Sequence, residues 1–204
     1  MNRCWSRICL GIFPGLTLVF LAAFLIMNHQ AITDPCGAVS KYVHSAVQGN
    51  IGFGDAGFYD NQISFTDLEP GDIVLGGYPN CAYGRYSHAG IYIGDNNVAE
   101  AYADLGVCIQ PLAHFRSYSQ VCLLKVDVPA MMKERAVEYI KKQQGRLFYP
   151  IAFKPGDRFW NCSKIMWKAY AEQGVDLDTL HDIWVCPESF RSSPYVKVIR
   201  EISQ

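Results

Sequence analysis

The chain has 204 residues, a formal net charge of −1 and a sequence pI near 6.5. That balance leaves neither a basic footprint nor an acidic tail, so nucleic acid is not an expected partner. Half of the residues are hydrophobic, with the excess gathered at the amino terminus.

Residues 8–27 run for 20 positions without a charge, long enough to cross a bilayer core as a helix. Arg3 and Arg7 precede the run, and no Lys or Arg follows until Lys41. The positive-inside bias then puts everything after it outside the cytoplasm. Gly11, Pro14 and Gly15 weaken the front of this helix without forbidding it. A cleaved signal peptide is the rival reading, but Met27-Asn28-His29-Gln30-Ala31 is a poor cleavage site. The expectation is a membrane anchor in residues 1–30 and a single exported domain in 31–204, secreted if the first segment is cut. About 170 residues suffice for a compact domain with its own core.

Asp34-Pro35 predicts a helix start, and the helix would carry Val39, Val43, Ala46 and Val47 inward before Gly49. Residues 49–66 read as loop. Gly52-Phe53-Gly54-Asp55-Ala56-Gly57 spells a dinucleotide-binding glycine pattern there, but it lacks the strand before it and the helix after it. Strands are expected at 72–75, 87–94, 97–102, 106–112 and 121–126 from their β-branched content and alternation. Asp127-Val128-Pro129 opens a second helix with the stripe Met132, Ala136, Tyr139 and Ile140, stopped by Gly145. A loop over 146–159 leads to a third helix, then a turn at 187–191 and a last strand at 195–199. Helix, antiparallel strands, two helices, strand: the fold class is α+β, an antiparallel sheet packed with helices.

The third helix carries the chemistry. Asn161 is a favoured N-cap, Ile165, Met166, Ala169 and Tyr170 form one face, and Gly174 supplies the stop. Cys162 thus sits in the first turn, where unpaired backbone N–H groups and the helix dipole favour a thiolate. A small buried core cysteine is the alternative. Beyond Cys4 and Cys9, six cysteines remain, Cys36, Cys81, Cys108, Cys122, Cys162 and Cys186. No Cys-x-x-Cys or His-x-x-x-His spacing occurs, so no metal site is expected. An exported domain can form disulfides, and an even count favours pairing all six, which argues against a free Cys162.

A nucleophile needs a base. His29 borders the apolar segment, and His44, His114 and His181 lie in surface-like contexts. His88 lies on a strand whose odd positions, Ala89, Ile91 and Ile93, form the apolar face, with Gly90 and Gly94 leaving space on its own side. Glu100, on the next strand, is the expected orienting acid if register permits. A two-residue Asp95-Asn96 loop would set Glu100 opposite Ile91 and away from His88. An odd-length loop would set it on the His88 face, opposite Gly90 or Tyr92. An odd connection at 94–97 is predicted, with a positive φ at Gly94, Asn96 or Asn97. Asp104 is the fallback acid.

Three motifs in this order, Ser87-His88-Ala89-Gly90-Ile91-Tyr92-Ile93-Gly94, Val98-Ala99-Glu100-Ala101 and Asn161-Cys162-Ser163, resemble the circularly permuted papain-like cysteine hydrolases related to the NlpC cell-wall peptidases. Leu68-Glu69-Pro70-Gly71-Asp72-Ile73-Val74 looks like that family's opening turn and first strand, and the likeness runs over roughly 66–200. It implies a permuted papain-like fold with Cys162 as nucleophile, His88 as base and Glu100 as third polar residue. The family often has an acid two residues after the nucleophile, where this chain has Lys164. The backbone N–H of Cys162 and, second, Tyr86 are the candidate oxyanion donors. The expected activity is amide hydrolysis on a small-molecule, peptide or cell-envelope substrate, without metal or organic cofactor. A lipid acyl hydrolase or acyltransferase, and a non-catalytic binding module with all six cysteines bridged, are the alternatives.

Overall fold

The computed structural model describes residues 2–35, 37–180 and 183–204. Six antiparallel strands form one sheet in the order β4-β3-β2-β1-β5-β6. They are β1 (Ile73–Gly77), β2 (His88–Gly94), β3 (Asn97–Tyr102), β4 (Gly106–Pro111), β5 (Gln120–Val126) and β6 (Val196–Ser203). The helices are α1 (Asn2–Met27), α2 (His29–Thr33), α3 (Ala38–Val47), α4 (Ala130–Lys141) and α5 (Cys162–Ala171). The α+β class and all predicted strands are present, the last one longer than expected.

Alternation along the strands splits the core in two. Ile73, Leu75, Ala89, Ile91, Ala99, Ala101, Cys122 and Leu124 pack on one face, against Ala136 and Ile140 of α4 and Ile165, Met166 and Ala169 of α5. Val74, Val98, Val121 and Leu123 pack on the other, under Leu112, Phe115, Tyr118 and Ile63. The second layer is a short 3₁₀ helix, Leu112–Ser117, instead of a long helix. Asn61 straps it down, its side-chain amide donating to the Phe115 and Tyr118 carbonyls at 2.9 and 2.8 Å.

Three expectations need correction. The helix expected from Asp34-Pro35 begins later, at Ala38 with Gly37 as its cap. Its valines do not face the core: Val39, Val43 and Val47 are 40%, 56% and 84% exposed. They line a shallow groove with Ile32 of α2. On α4, Lys133 is buried although it lies off the predicted stripe; its ammonium reaches Asp72 Oδ1 at 2.8 Å. Cys81, Cys108, Cys122 and Cys162 are unbridged thiols, so the pairing of all six cysteines does not occur; Cys36 lies outside the described residues.

The amino-terminal run is helical from Asn2 to Met27, with Pro14 inside it. Among the described residues, no helix is long and apolar enough to cross a membrane. The membrane helix expected over 8–27 therefore gains no support from the fold.

Candidate active site

Glu100 faces Gly90 across the β2–β3 pair, with Ile91 opposite Ala99 and Tyr92 opposite Val98. This is the register that puts Glu100 on the His88 face. The device differs from the one expected. Asp95 and Asn96 form a two-residue turn, with φ of 52° and 57°, and Gly94 has a φ of 92°. Both turn residues at positive φ match a type I′ hairpin. The parity change comes from a register shift between Tyr92 and Gly94, which leaves Ile93 as an extra residue. Asn97 is not among the positive-φ residues. Asp104 is exposed in the next turn and plays no part.

His88 Nε2 lies 2.8 Å from Glu100 Oε2. An ionised carboxylate only accepts, so Nε2 carries the proton and Nδ1 is left for another partner. The imidazole stacks on Tyr102 at 4.3 Å between centroids, with Phe115 and Tyr118 at 5.9 and 6.0 Å. Gly76, opposite His88 on β1, makes room for this stack: a Cβ there would sit 2.7 Å from the Tyr118 ring. The space expected above Gly90 is filled by Val98 and Phe115.

His114, read from sequence as a surface residue, is the second partner of Glu100. Its Nε2 hydrogen-bonds Oε2 at 3.1 Å and lies 2.9 Å from Oε1. Oε1 is within ion-pair reach of that nitrogen but accepts no well-angled hydrogen bond. Burial would raise the Glu100 carboxyl, but the bonds from His114 and His88 outweigh it and hold it below its ordinary value. No periodic signal marks His114, because it sits in the 3₁₀ helix.

Asn161 caps α5, its side chain accepting from the Lys164 N–H at 2.7 Å. Cys162 follows at the first helical position, 8% exposed beside a His88 that is 6% exposed. Its Sγ lies 4.0 Å from the Ser87 carbonyl, and the sulfur is close enough to the His88 imidazole to favour its charged form. The expectation that the start of α5 lies across the His88 face is only half met. The body of α5 packs on the opposite face, and its first turn reaches the imidazole at the beginning of β2. Burial alone would lower the His88 imidazolium, but Cys162 and Glu100 outweigh it and raise its pKa from 6.5 to about 9. By contrast, burial pushes the thiols of Cys81, Cys108 and Cys122 up to about 11 each.

Tyr86 does not serve as the second oxyanion donor. It is fully buried, and its hydroxyl donates to Glu201 Oε1 at 2.8 Å. Lys164, where an acid was the family expectation, turns away from the thiol. Its ammonium donates to the Gly156 carbonyl at 2.7 Å and lies over the Trp160 ring at 5.2 Å. Among the described residues, no group of three or more His, Cys, Asp or Glu could hold a metal ion.

An antiparallel sheet bearing a histidine and an acid, followed in the chain by a helix that starts on a cysteine, is the order of a permuted papain-like hydrolase. Residues 67–190, more than half of the chain, match the permuted papain-like amidases of the YaeF/YiiX, C92 family, and the chain belongs to that family. It is a cysteine hydrolase of the amidase type. A solved structure, described as the metalloprotein yiiX from Escherichia coli O157:H7, shares the fold with a TM-score of 0.54 at 15% identity. The match covers 74% of this chain and 99% of that one. No curated protein matches the chain.

Proposed function

We propose that the protein is an exported thiol hydrolase that cleaves an amide bond in a peptide or cell-envelope substrate through Cys162, His88 and Glu100. The observation that carries this reading is the buried series Cys162, His88, Glu100, in which His88 is bonded to Glu100 and lies beside a thiol at a helix start. The Cys162 sulfur attacks the carbonyl carbon, and His88 Nδ1 holds the thiol proton. That proton passes to the amine as the C–N bond breaks, leaving a thioester. Water, deprotonated by His88, then attacks the thioester; the C–S bond breaks and the thiol regains its proton. The backbone N–H of Cys162 stabilises the oxyanion. Glu100 keeps the imidazole in the Nε2–H form and stabilises its cation.

Export rests on Arg3 and Arg7 ahead of the uncharged run, and kinship to the NlpC peptidases rests on the three motifs alone. Hydrolysis of a lipid acyl ester is the second reading, favoured by exposed apolar side chains beside α5 such as Leu147 and Ile151. The unbridged thiols speak against a disulfide-built binding module. Product analysis of peptide and phospholipid substrates, with wild type and Cys162→Ala, tests the reading. New amine termini from wild type and none from the variant are expected. Release of fatty acid alone would favour the second reading, and products formed equally by Cys162→Ala would remove Cys162 from the chemistry.

A further inference from the structure

The loop between α4 and α5 turns an apolar face to solvent. Phe148 and Trp160 form a parallel bridge, and Trp160 is fully buried. Alternation therefore sends Leu147, Tyr149 and Phe159 outward. They are 72%, 49% and 49% exposed, and the Tyr149 and Phe159 rings lie 5.4 Å apart. Ile151 and Phe153 are exposed farther round the loop, and the Lys154 N–H donates to the carbonyl of exposed Ile183 at 2.8 Å. The loop is tied to the start of α5: the Asn161 side chain donates to the Pro150 carbonyl at 3.2 Å, and Lys164 holds Gly156.

Along this stretch of chain positive charge outweighs negative. Between residues 141 and 160, Lys141, Lys142, Arg146, Lys154 and Arg158 stand against a single acid, Asp157, in a chain of net charge −1. Lys154 pairs with buried Asp178 at 2.8 Å; the other four cations are exposed. Large exposed apolar patches mark interaction surfaces. A protein partner would favour a lysine-poor surface. A bilayer interface rewards both features, taking apolar side chains at the acyl boundary and cations at anionic headgroups. We infer that this face docks the domain on an anionic lipid surface, bringing the Cys162 end of α5 to the bilayer. Docking stands on the surface alone. Its corollary, that the scissile amide or ester belongs to a membrane-resident molecule, rests on the thiol-hydrolase reading.

Hydrogen exchange of the full chain with phosphatidylcholine vesicles, with and without phosphatidylglycerol, tests it locally. Amides across 146–160 should slow on the anionic vesicles only. The slowing should vanish near 1 M salt, where the screening length is about 3 Å. Arg146→Gln with Arg158→Gln should lose it while Cys162 alkylation is unchanged. Because Arg146 also donates to the Asp157 carbonyl, Lys141→Gln with Lys142→Gln is the second variant and should weaken it too. Unchanged exchange in 146–160, equal slowing on neutral vesicles, or slowing that grows with protein concentration without lipid would overturn the proposal, the last by assigning the face to a second copy. Cys162→Ala should dock like wild type. Docking with a Cys162→Ala variant that still turns over substrate would sink the thiol reading and leave docking standing.

Discussion

Replacing His88 with glutamine is expected to lower turnover by about 10²–10⁴-fold, the usual worth of a positioned acid–base group. The glutamine amide can still donate to Glu100 Oε2, now 2.8 Å from the imidazole, so the buried carboxylate keeps a partner and the sheet should survive. What is lost is a group that exchanges a proton with the Cys162 sulfur. Glu100→Gln should cost less, because His88 would keep its place in the Tyr102 stack while losing the charge that stabilises its cation. Steady-state kinetics with thermal melts decide the matter. Wild-type turnover in His88→Gln would remove the imidazole from the reaction.

The largest expected stability effect lies elsewhere, in Asp72→Ala. Asp72 is fully buried at the start of β1 and serves three donors. Oδ1 accepts from Lys133 Nζ at 2.8 Å and from the Val126 N–H at 3.0 Å, and Oδ2 accepts from the Glu69 N–H at 2.9 Å. Removing the carboxylate leaves a buried ammonium and a buried N–H without it, and breaking one side of a buried pair typically costs about 3–5 kcal/mol. Glu69 also touches Lys133, at 3.2 Å, but is an exposed carboxylate and cannot replace the buried one. The double change Asp72→Leu with Lys133→Met should recover much of the loss, since no charge is then stranded. Urea unfolding midpoints measure both. Strictly additive losses in the double variant would mean that the two groups do not act as a pair.

The elements that bear chemistry were legible where a local rule sets them. Asn161 is a cap by residue type, and it caps α5 as read. Parity tied the face that Glu100 takes to the length of the connection, because a one-residue slip flips every side chain, but left Gly90 and Tyr92 both open opposite it. The device behind the parity was not legible: a bulge at Ile93 and a longer turn leave the same parity, and only the backbone distinguishes them. His114 escaped because a 3₁₀ helix has no amphipathic repeat to expose a functional position. Lys133 escaped because a buried lysine depends on a carboxylate more than sixty residues away in the chain. Val39, Val43 and Val47 misled for the opposite reason. Their spacing is that of a packed helix face, but spacing cannot tell which surface covers it, and here the main sheet does not.

The central claim, that Cys162 is an activated thiol paired with His88, is tested most directly by mapping iodoacetamide labelling of the folded protein against pH. His88 keeps its proton up to about 9, so an imidazolium stands beside the sulfur throughout the neutral range. The raised pKa also ties stability to this pairing, in full below 6.5 and fading as pH rises through about 9. Cys81, Cys108 and Cys122, pushed up to about 11 by burial, should stay unlabelled at neutral pH. The account predicts that Cys162 is labelled first and selectively at mildly acidic to neutral pH, with that selectivity lost in His88→Gln. A folded protein in which Cys162 is unreactive, bridged, or no faster than the other thiols would contradict it.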